Sequence, residues 1–420
     1  GKTTTMRILH ISTRLILGGS QENTVLSCEE QARRGHEVHL AFGPIYGPEG
    51  SLLERVERFS APGGARIATH VIPDMVREIA PLRDTRALRQ TRELIRRLRP
   101  DIVHTHSSKA GILGRAAAFS VAKSSPDGLP GVVHTIHGPP FMPSEGSAIS
   151  RLKVRVNNAM YTLAERFAAR RCHAIISVAD AMTNQFLARG IGTPSLYATV
   201  RSGMETERFL TPAPGEDRAS VRAALGLNDR HFVVGTVARL AQHKGHDDLL
   251  DALGEDLRAN ADWRLLWVGD GWWRERLLER VRVMGVSDRV ITTGLVPPER
   301  VGAMIRAMDV LAHPSVREGL PRTVPQALLC GVCPVAYDVD GTGEACIEMR
   351  TGRLVRAGDH SGLRSAIRWC FDNPAERALL AERGREMCAR QFSVGAMVDG
   401  LDAQYARAVA LAKSARTRRA

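Results

Sequence analysis

Residues 234–245 read Val-Gly-Thr-Val-Ala-Arg-Leu-Ala-Gln-His-Lys-Gly, and residues 313–331 read His-Pro-Ser-Val-Arg-Glu-Gly-Leu-Pro-Arg-Thr-Val-Pro-Gln-Ala-Leu-Leu-Cys-Gly. The first stretch places two fixed cations, Arg239 and Lys244, just after a buried strand, with Gly245 opening a helix. The second places Glu318 and a Gly319-Leu320-Pro321 turn just before a helix that carries Gln326. Paired cations beside a helix N-terminus suit a diphosphate, and a carboxylate with free backbone amides suits sugar hydroxyls. Together the two stretches predict a nucleotide-sugar site.

Outward from these stretches the chain alternates short apolar runs with longer amphipathic ones, the pattern of parallel sheets covered by helices on both faces. In the first half, strands are expected at Arg7–Ser12, Glu37–Phe42, Ala68–Val71, Ile102–Thr105, Gly131–Ile136 and Ala174–Val178. Thr211-Pro212-Ala213-Pro214-Gly215, within Glu207–Glu216, breaks the periodicity and is read as a linker. Strands then resume at Phe232–Val237, Arg264–Val268, Val290–Thr292, Val310–His313, Cys333–Tyr337 and Gly352–Val355. The expected organisation is α/β: two doubly wound Rossmann-like domains, residues 1–206 and 207–392, facing a central cleft. Residues 393–420 are expected as a long C-terminal helix that crosses back to the first domain and ends in a basic tail. Gly1–Thr5 (GKTTT) has no upstream glycine at phosphate-loop spacing and is read as a leader before Met6.

At 420 residues the chain exceeds one ordinary core. No apolar run approaches the ~20 residues of a membrane span, and seven cysteines without framework spacing suit a reducing, cytoplasmic compartment. Residues 1–200 hold 26 Lys and Arg against 16 Asp and Glu, concentrated in Arg83–Arg99 and Arg151–Arg171. Such stripes suit an anionic membrane surface or acidic substrates, and equally a solvated helix face. With 5% aromatic residues and no reader motif, nucleic acid is not an expected partner.

Further polar groups fall at strand ends, where chemistry collects in such folds. Gly18-Gly19 precede the first helix and let backbone approach a ligand, but they lack dinucleotide-binding spacing. His106, Ser107 and Lys109 follow the fourth strand and are candidates for contacting an acceptor; Ser107 or Ser108 could instead cap the next helix. His137 is suited to hydrogen-bond a sugar hydroxyl or a leaving phosphate, and His134 to a core position. With His104 and His106 they lack a zinc-ligand pattern, so no metal is expected. Asp338-Val-Asp340 is read as loop structure, Cys330-Gly-Val-Cys333 as small buried residues, and Trp272-Trp273 as packing or stacking groups.

The motifs Gly18-Gly19, DIVHTHSSKAG, VHTIHG, VARLAQHKG, VGDG, REGLPRTVPQALLCG and DGTGE together resemble family-4 retaining glycosyltransferases of GT-B architecture, from about Met6 to Ala412. The resemblance implies that Arg239 and Lys244 hold the donor diphosphate. It also implies that Glu318 opens the family's Glu-x7-Glu motif, with Gln326 at the second position, which contacts the donor ribose. His137 then stands near the transferred sugar, and Gly18-Gly19 near the donor phosphates and acceptor. It further implies sugar transfer from a nucleotide diphosphate sugar to a glycan or lipid-linked acceptor, with retained configuration and no metal or other cofactor. Peripheral attachment at the inner membrane face fits the basic stretches. A nucleotide-sugar epimerase of the same architecture, or a non-catalytic sugar-nucleotide-binding relative, are the competing readings.

Overall fold

The computed structural model describes residues 5–16, 18–45, 50–138, 141 and 148–417. Residues 1–4 of the expected leader, Leu17 and the last three residues of the basic tail lie outside these. The chain forms two compact units: residues up to Met204 together with those from Val394 onward, and Glu205–Ser393.

The first unit is built on seven parallel strands: β1 (Arg7–Ser12), β2 (Glu37–Phe42), β3 (Ile67–Val71), β4 (Ile102–His106), β5 (Gly131–Ile136), β6 (Ala174–Ser177) and β7 (Tyr197–Thr199). Their order is β3-β2-β1-β4-β5-β6-β7. The central strands β1, β4 and β5 are buried along nearly their whole length, which is why they read as continuous apolar runs. The helix Val394–Thr417 belongs to this unit. Its Met397, Val398, Leu401, Tyr405 and Ala408 pack with Ile8, Ile102, Val133 and Ile176 in one core cluster.

The second unit carries β8 (Phe232–Val237), β9 (Trp263–Val268), β10 (Val290–Thr292), β11 (Val310–His313), β12 (Cys333–Tyr337) and β13 (Arg353–Val355), all parallel, in the order β10-β9-β8-β11-β12-β13. The linker expected at Glu207–Glu216 needs correction. Glu207–Leu210 is a helical turn, Phe209 is buried, and the Arg306 guanidinium donates to the carbonyls of Arg208 and Phe209 at 2.9 Å. A buried aromatic anchors this segment inside the second unit, and the chain passes between units at Met204–Glu205.

In each sheet the strand order reverses once, between β1 and β4 and between β8 and β11. Connections leave a crevice outside the carboxyl ends of such neighbouring strands, and ligands of doubly wound sheets bind there. Arg239 and Lys244 follow β8, Glu318 follows β11, and Ser107 and Lys109 follow β4.

Candidate functional site

In the second unit the loops after β8 and β11 are held against each other. The Val316 amide donates to the His243 carbonyl at 3.0 Å, and Ser315 Oγ to the same oxygen at 3.2 Å. Gly245 adopts φ 79°, and a Cβ there would lie 2.0 Å from the Pro314 carbonyl oxygen. Only glycine supplies both the left-handed turn and the close approach. This contact brings Lys244 Nζ to 2.7 Å from Glu318 Oε1. On the other side of Glu318, His313 Nε2 lies 3.3 Å from the same carboxylate oxygen, and Thr323 Oγ1 lies 3.2 Å from His313 Nδ1. Burial pushes the Glu318 carboxyl up, but His313 and Lys244 outweigh it and bring its pKa down to about 2. The group is a fixed anion at neutral pH.

The backbone around Glu318 is fixed by a residue first read only as loop. Asp340, at φ 50°, accepts the Glu318 amide on Oδ2 at 2.9 Å, and the Gly341 amide donates to the Gly319 carbonyl at 2.9 Å. Asp340 thus serves the loop structure expected of Asp338-Val-Asp340. The helix beyond begins at Thr323, not Pro321, because Pro321 and Arg322 complete the turn. Gln326 lies on that helix with 8% of its surface exposed, while Gly319 and Leu320 are half-buried and Pro321 is buried. Arg239 is exposed, its guanidinium 5.5 Å from the centre of the Trp272 ring. Trp273 instead packs against the core, and the Arg276 guanidinium covers it at 4.2 Å. Gly269, at φ 133°, presses the VGDG loop on the Ala238 carbonyl, where a Cβ would sit 2.2 Å away.

The first unit carries a separate polar edge. Gly18 and Gly19 are exposed at the start of the helix Gly19–Arg33. Ser107 has φ 64°, and its Oγ lies 2.7 Å from Thr13 Oγ1. The capping expected of Ser107 falls to Thr13, whose Oγ1 accepts the Ala110 amide at 3.1 Å. Lys109 Nζ donates to Asp84 Oδ1 at 2.6 Å and also to the Glu78 carbonyl. Ser107 and Lys109 line a cavity of about 650 Å³ with Thr13, Asn158, Met160 and Tyr161. His106 does not reach this cavity. It is buried, with Nε2 2.9 Å from His10 Nδ1 and Nδ1 3.0 Å from His137 Nε2.

Strand alternation puts His104 and His106 on one face of β4, beside His10 of β1, and ligand-capable nitrogens of these three rings lie within 4.8 Å of one another. His10 was not weighed with the other histidines in the sequence. Among the described residues no carboxylate joins the group, and every ring nitrogen of the three has a protein partner: Gln31, Tyr405, Thr135, His137 or a fellow ring. A metal would have to displace those bonds. Burial lowers the pKa of His10 to about 4, with the Gln31 hydrogen bond working against it, and that of His137 to about 4. His134, Nδ1 2.9 Å from Thr105 Oγ1, is a satisfied core histidine. Among the cysteines, all seven are unbridged, and burial pushes the Cys330 thiol up to about 12, outside the range of a redox thiol.

Two doubly wound parallel units, each with a polar loop cluster at its switch point, define the GT-B class of fold. Residues 217–387 match the model of glycosyl transferases group 1, and residues 17–208 match glycosyltransferase family 4. The chain belongs to the family-4, group 1 glycosyltransferases. It is 30% identical over 242 residues to a 2-deoxystreptamine glucosyltransferase of Streptomyces kanamyceticus, a match covering 57% of this chain and 62% of that relative. It is 24% identical over 404 residues to the UDP-Gal:alpha-D-GlcNAc-diphosphoundecaprenol alpha-1,3-galactosyltransferase of Escherichia coli, covering 95% and 96% of the two chains. The solved structure of Anabaena Alr3699/HepE in complex with UDP superimposes with a TM-score of 0.72 at 21% identity, covering 94% of this chain and 98% of that one. Among the described residues, no helix is long and apolar enough to cross a membrane.

The residues that hold Glu318 in place, His313 and Asp340, were not singled out as site residues in the sequence. His313 stands five residues before Glu318 inside the quoted stretch, so its position after a buried strand was a usable signal. Asp340 gave only its short spacing from Asp338.

Proposed function

We propose that this protein is a retaining glycosyltransferase that moves a sugar from a nucleotide diphosphate sugar to a glycan or lipid-linked acceptor. The carrying observation is the 2.7 Å pair of Lys244 and Glu318 at the second unit's switch point, which puts a cation and an anion side by side on one loop contact. In this reading Arg239 and Lys244 take the diphosphate, and their fixed charge stabilises the negative charge that builds as the sugar–phosphate bond breaks. Glu318, Gly319 and Leu320 receive sugar or phosphate groups, Pro321 shapes the turn, and Gln326 bonds the ribose. In the first unit Gly18-Gly19 and His137 are assigned to sugar or phosphate groups, and the cavity at Ser107 and Lys109 takes the acceptor.

No metal or other cofactor takes part in this scheme, because the two cations do the work of charge neutralisation. The leaving phosphate takes the acceptor proton in a same-face displacement. The relatives' printed activities support a nucleotide-sugar donor: one is named for UDP-Gal, and the Anabaena structure holds UDP.

The helix Ala148–Ala169 supports a lipid-facing, peripheral placement. Ile149, Leu152, Val156, Met160, Leu163 and Phe167 recur at helical spacing and are 47% to 83% exposed. Arg151, Lys153, Arg155 and Arg166 are exposed on the same helix, the composition of a helix that lies in an anionic interface. Met160, in the apolar stripe, also lines the acceptor cavity.

A thermal-shift panel of UDP-, GDP-, ADP- and dTDP-sugars on the wild type and Lys244→Ala tests the donor site. Stabilisation by one nucleotide class, absent in the variant, is expected; no stabilisation of folded protein by any donor counts against it. Product analysis then separates transfer from epimerisation or from binding of an unchanged donor.

A further inference from the structure

The half-buried ring of His137 is the outer end of a hydrogen-bonded chain that begins on the helix Gly19–Arg33. Gln31 Oε1 lies 2.8 Å from His10 Nε2, His10 Nδ1 lies 2.9 Å from His106 Nε2, and His106 Nδ1 lies 3.0 Å from His137 Nε2. A neutral imidazole has one N–H and one lone pair, so each ring that accepts at one nitrogen must donate at the other. Rings joined in series therefore share one polarity, set at the end of the chain.

That end is the Gln31 amide, whose nitrogen faces Tyr405 and whose oxygen faces His10. Gln31 Nε2 donates to Tyr405 Oη at 3.1 Å. The Tyr405 hydroxyl then gives its proton to His104 Nδ1 at 2.6 Å, and His104 Nε2–H meets Thr135 Oγ1 at 2.6 Å. The carboxamide oxygen left facing His10 can only accept. His10 donates from Nε2, so its Nδ1 accepts from His106 Nε2–H, and His106 Nδ1 accepts from His137 Nε2–H. Burial keeps these rings neutral, so the alternation is not broken by a second proton.

We propose that Gln31 and Tyr405, acting through His10 and His106, are positioning residues that fix the tautomer of His137 and leave its Nδ1 an obligate hydrogen-bond acceptor. The proposal rests on the reading of His137 as a site residue and narrows it. Between the two partners the sequence left open, a neutral ring of this polarity accepts from a sugar hydroxyl and cannot donate to a phosphate oxygen. A reversed Gln31 amide would reverse every link and make His137 Nδ1 a donor, so the assignment is testable at one atom.

Long-range 1H–15N correlation spectra of the full chain, labelled with 15N-histidine, read the tautomer of each ring without any ligand. His10, His106 and His137 are all expected to be protonated on Nε2 and bare on Nδ1. Protonation of His137 on Nδ1, or differing tautomers among the three rings, overturns the proposal. Gln31→Leu is expected to shift the His137 nitrogen resonances toward a mixture of both tautomers. An unshifted His137 spectrum in folded Gln31→Leu protein overturns the role of Gln31. Should Gln31→Leu not fold, the wild-type tautomers decide. The spectra need neither donor nor acceptor, so they can contradict the relay while donor titrations uphold the proposed transfer, or the reverse.

Discussion

Lys244 Nζ stands 2.7 Å from Glu318 Oε1, although 74 residues separate them in sequence. The Lys244 side chain is 21% exposed and that of Glu318 15%, so the pair faces a boundary where a further anion can still reach the lysine. An incoming diphosphate would share the cation and leave Glu318 free to accept sugar hydroxyls. Lys244→Ala is expected to abolish detectable nucleotide-sugar stabilisation and lower kcat by ~10²–10³, the usual loss for one donor to a developing anion. Lys244→Arg is expected to recover part of the binding. Steady-state kinetics on both variants check this, and unchanged kcat in Lys244→Ala rules out the assigned role.

Gly245 makes that pair possible, and its replacement offers a separate test. At φ 79°, with the Pro314 carbonyl 2.0 Å from where a Cβ would stand, Gly245→Ala must open the contact between the two loops. The variant is expected to lose about 1–3 kcal/mol of stability through backbone strain. It should also weaken donor binding without touching a ligand-contacting side chain. Urea unfolding together with donor titration reads both effects; wild-type affinity in the variant would falsify the coupling between loop contact and site.

Acid acts on the buried histidines and on Glu318 over different ranges. Burial lowers the pKa of His10 and His137 from an ordinary 6.5 to about 4, so their protonation favours the unfolded chain. Their contribution is complete above pH 6.5 and is lost as pH falls toward 4. Glu318 is depressed from 4.5 to about 2, so its contribution is present above pH 4.5 and is lost only as pH falls toward 2. Unfolding of the first unit is therefore expected to become easier between pH 6.5 and 4.5, where Glu318 does not yet respond. Differential scanning calorimetry across that range should show a falling Tm that flattens in Glu318→Gln only below pH 4.5. A Tm constant from pH 7 to 4.5 contradicts the histidine argument.

The architecture was legible because both sheets are parallel and doubly covered, so β1, β2, β5, β8, β10, β11 and β12 show as apolar runs with the bounds read from sequence. The site loops were legible too, since Arg239, Lys244 and Glu318 follow such runs directly. What escaped lacks a local signal. β7 is only three residues, Tyr197–Thr199, and helix Pro374–Gln391 buries mostly small or isolated groups, Leu380, Ala381, Gly384 and Cys388. Phe209 looked like part of a linker because prolines follow it, yet one buried aromatic outweighs the broken periodicity. Gln31 and Tyr405 gave no signal, because a polar side chain inside a helix shows its partner only once the helix is docked.

A buried ion pair links the helices on either side of the cavity lined by Ser107 and Lys109. Arg115, on Ser108–Ser124, and Glu165, on Ala148–Ala169, are fully buried and joined by bonds of 2.9 and 2.8 Å. Removing one partner leaves an uncompensated charge, so Glu165→Ala is expected to destabilise the protein by ~3–5 kcal/mol. The double variant Arg115→Met, Glu165→Leu should regain most of that loss, because no buried charge remains. Denaturant titrations of the three proteins measure both steps; equal stability of the single variant and wild type refutes the argument.

The apolar stripe on Ala148–Ala169 leads to the last prediction. Leu152 and Leu163 are each 63% exposed, so neither supports the core, and replacing them should leave folding unchanged. In a lipid interface the same side chains would be buried, each contributing roughly 1.5–3 kcal/mol if fully withdrawn from water. Exposed Arg151, Lys153 and Arg155 on that helix add an attraction that salt screens. The wild type is therefore expected to sediment with anionic vesicles at low ionic strength, less so at high salt and poorly with neutral vesicles. Leu152→Glu with Leu163→Glu should abolish sedimentation while preserving Tm and donor binding. If the doubly substituted protein still sediments with anionic vesicles, the stripe is not the contact; if the wild type shows no preference for them, the membrane reading itself fails.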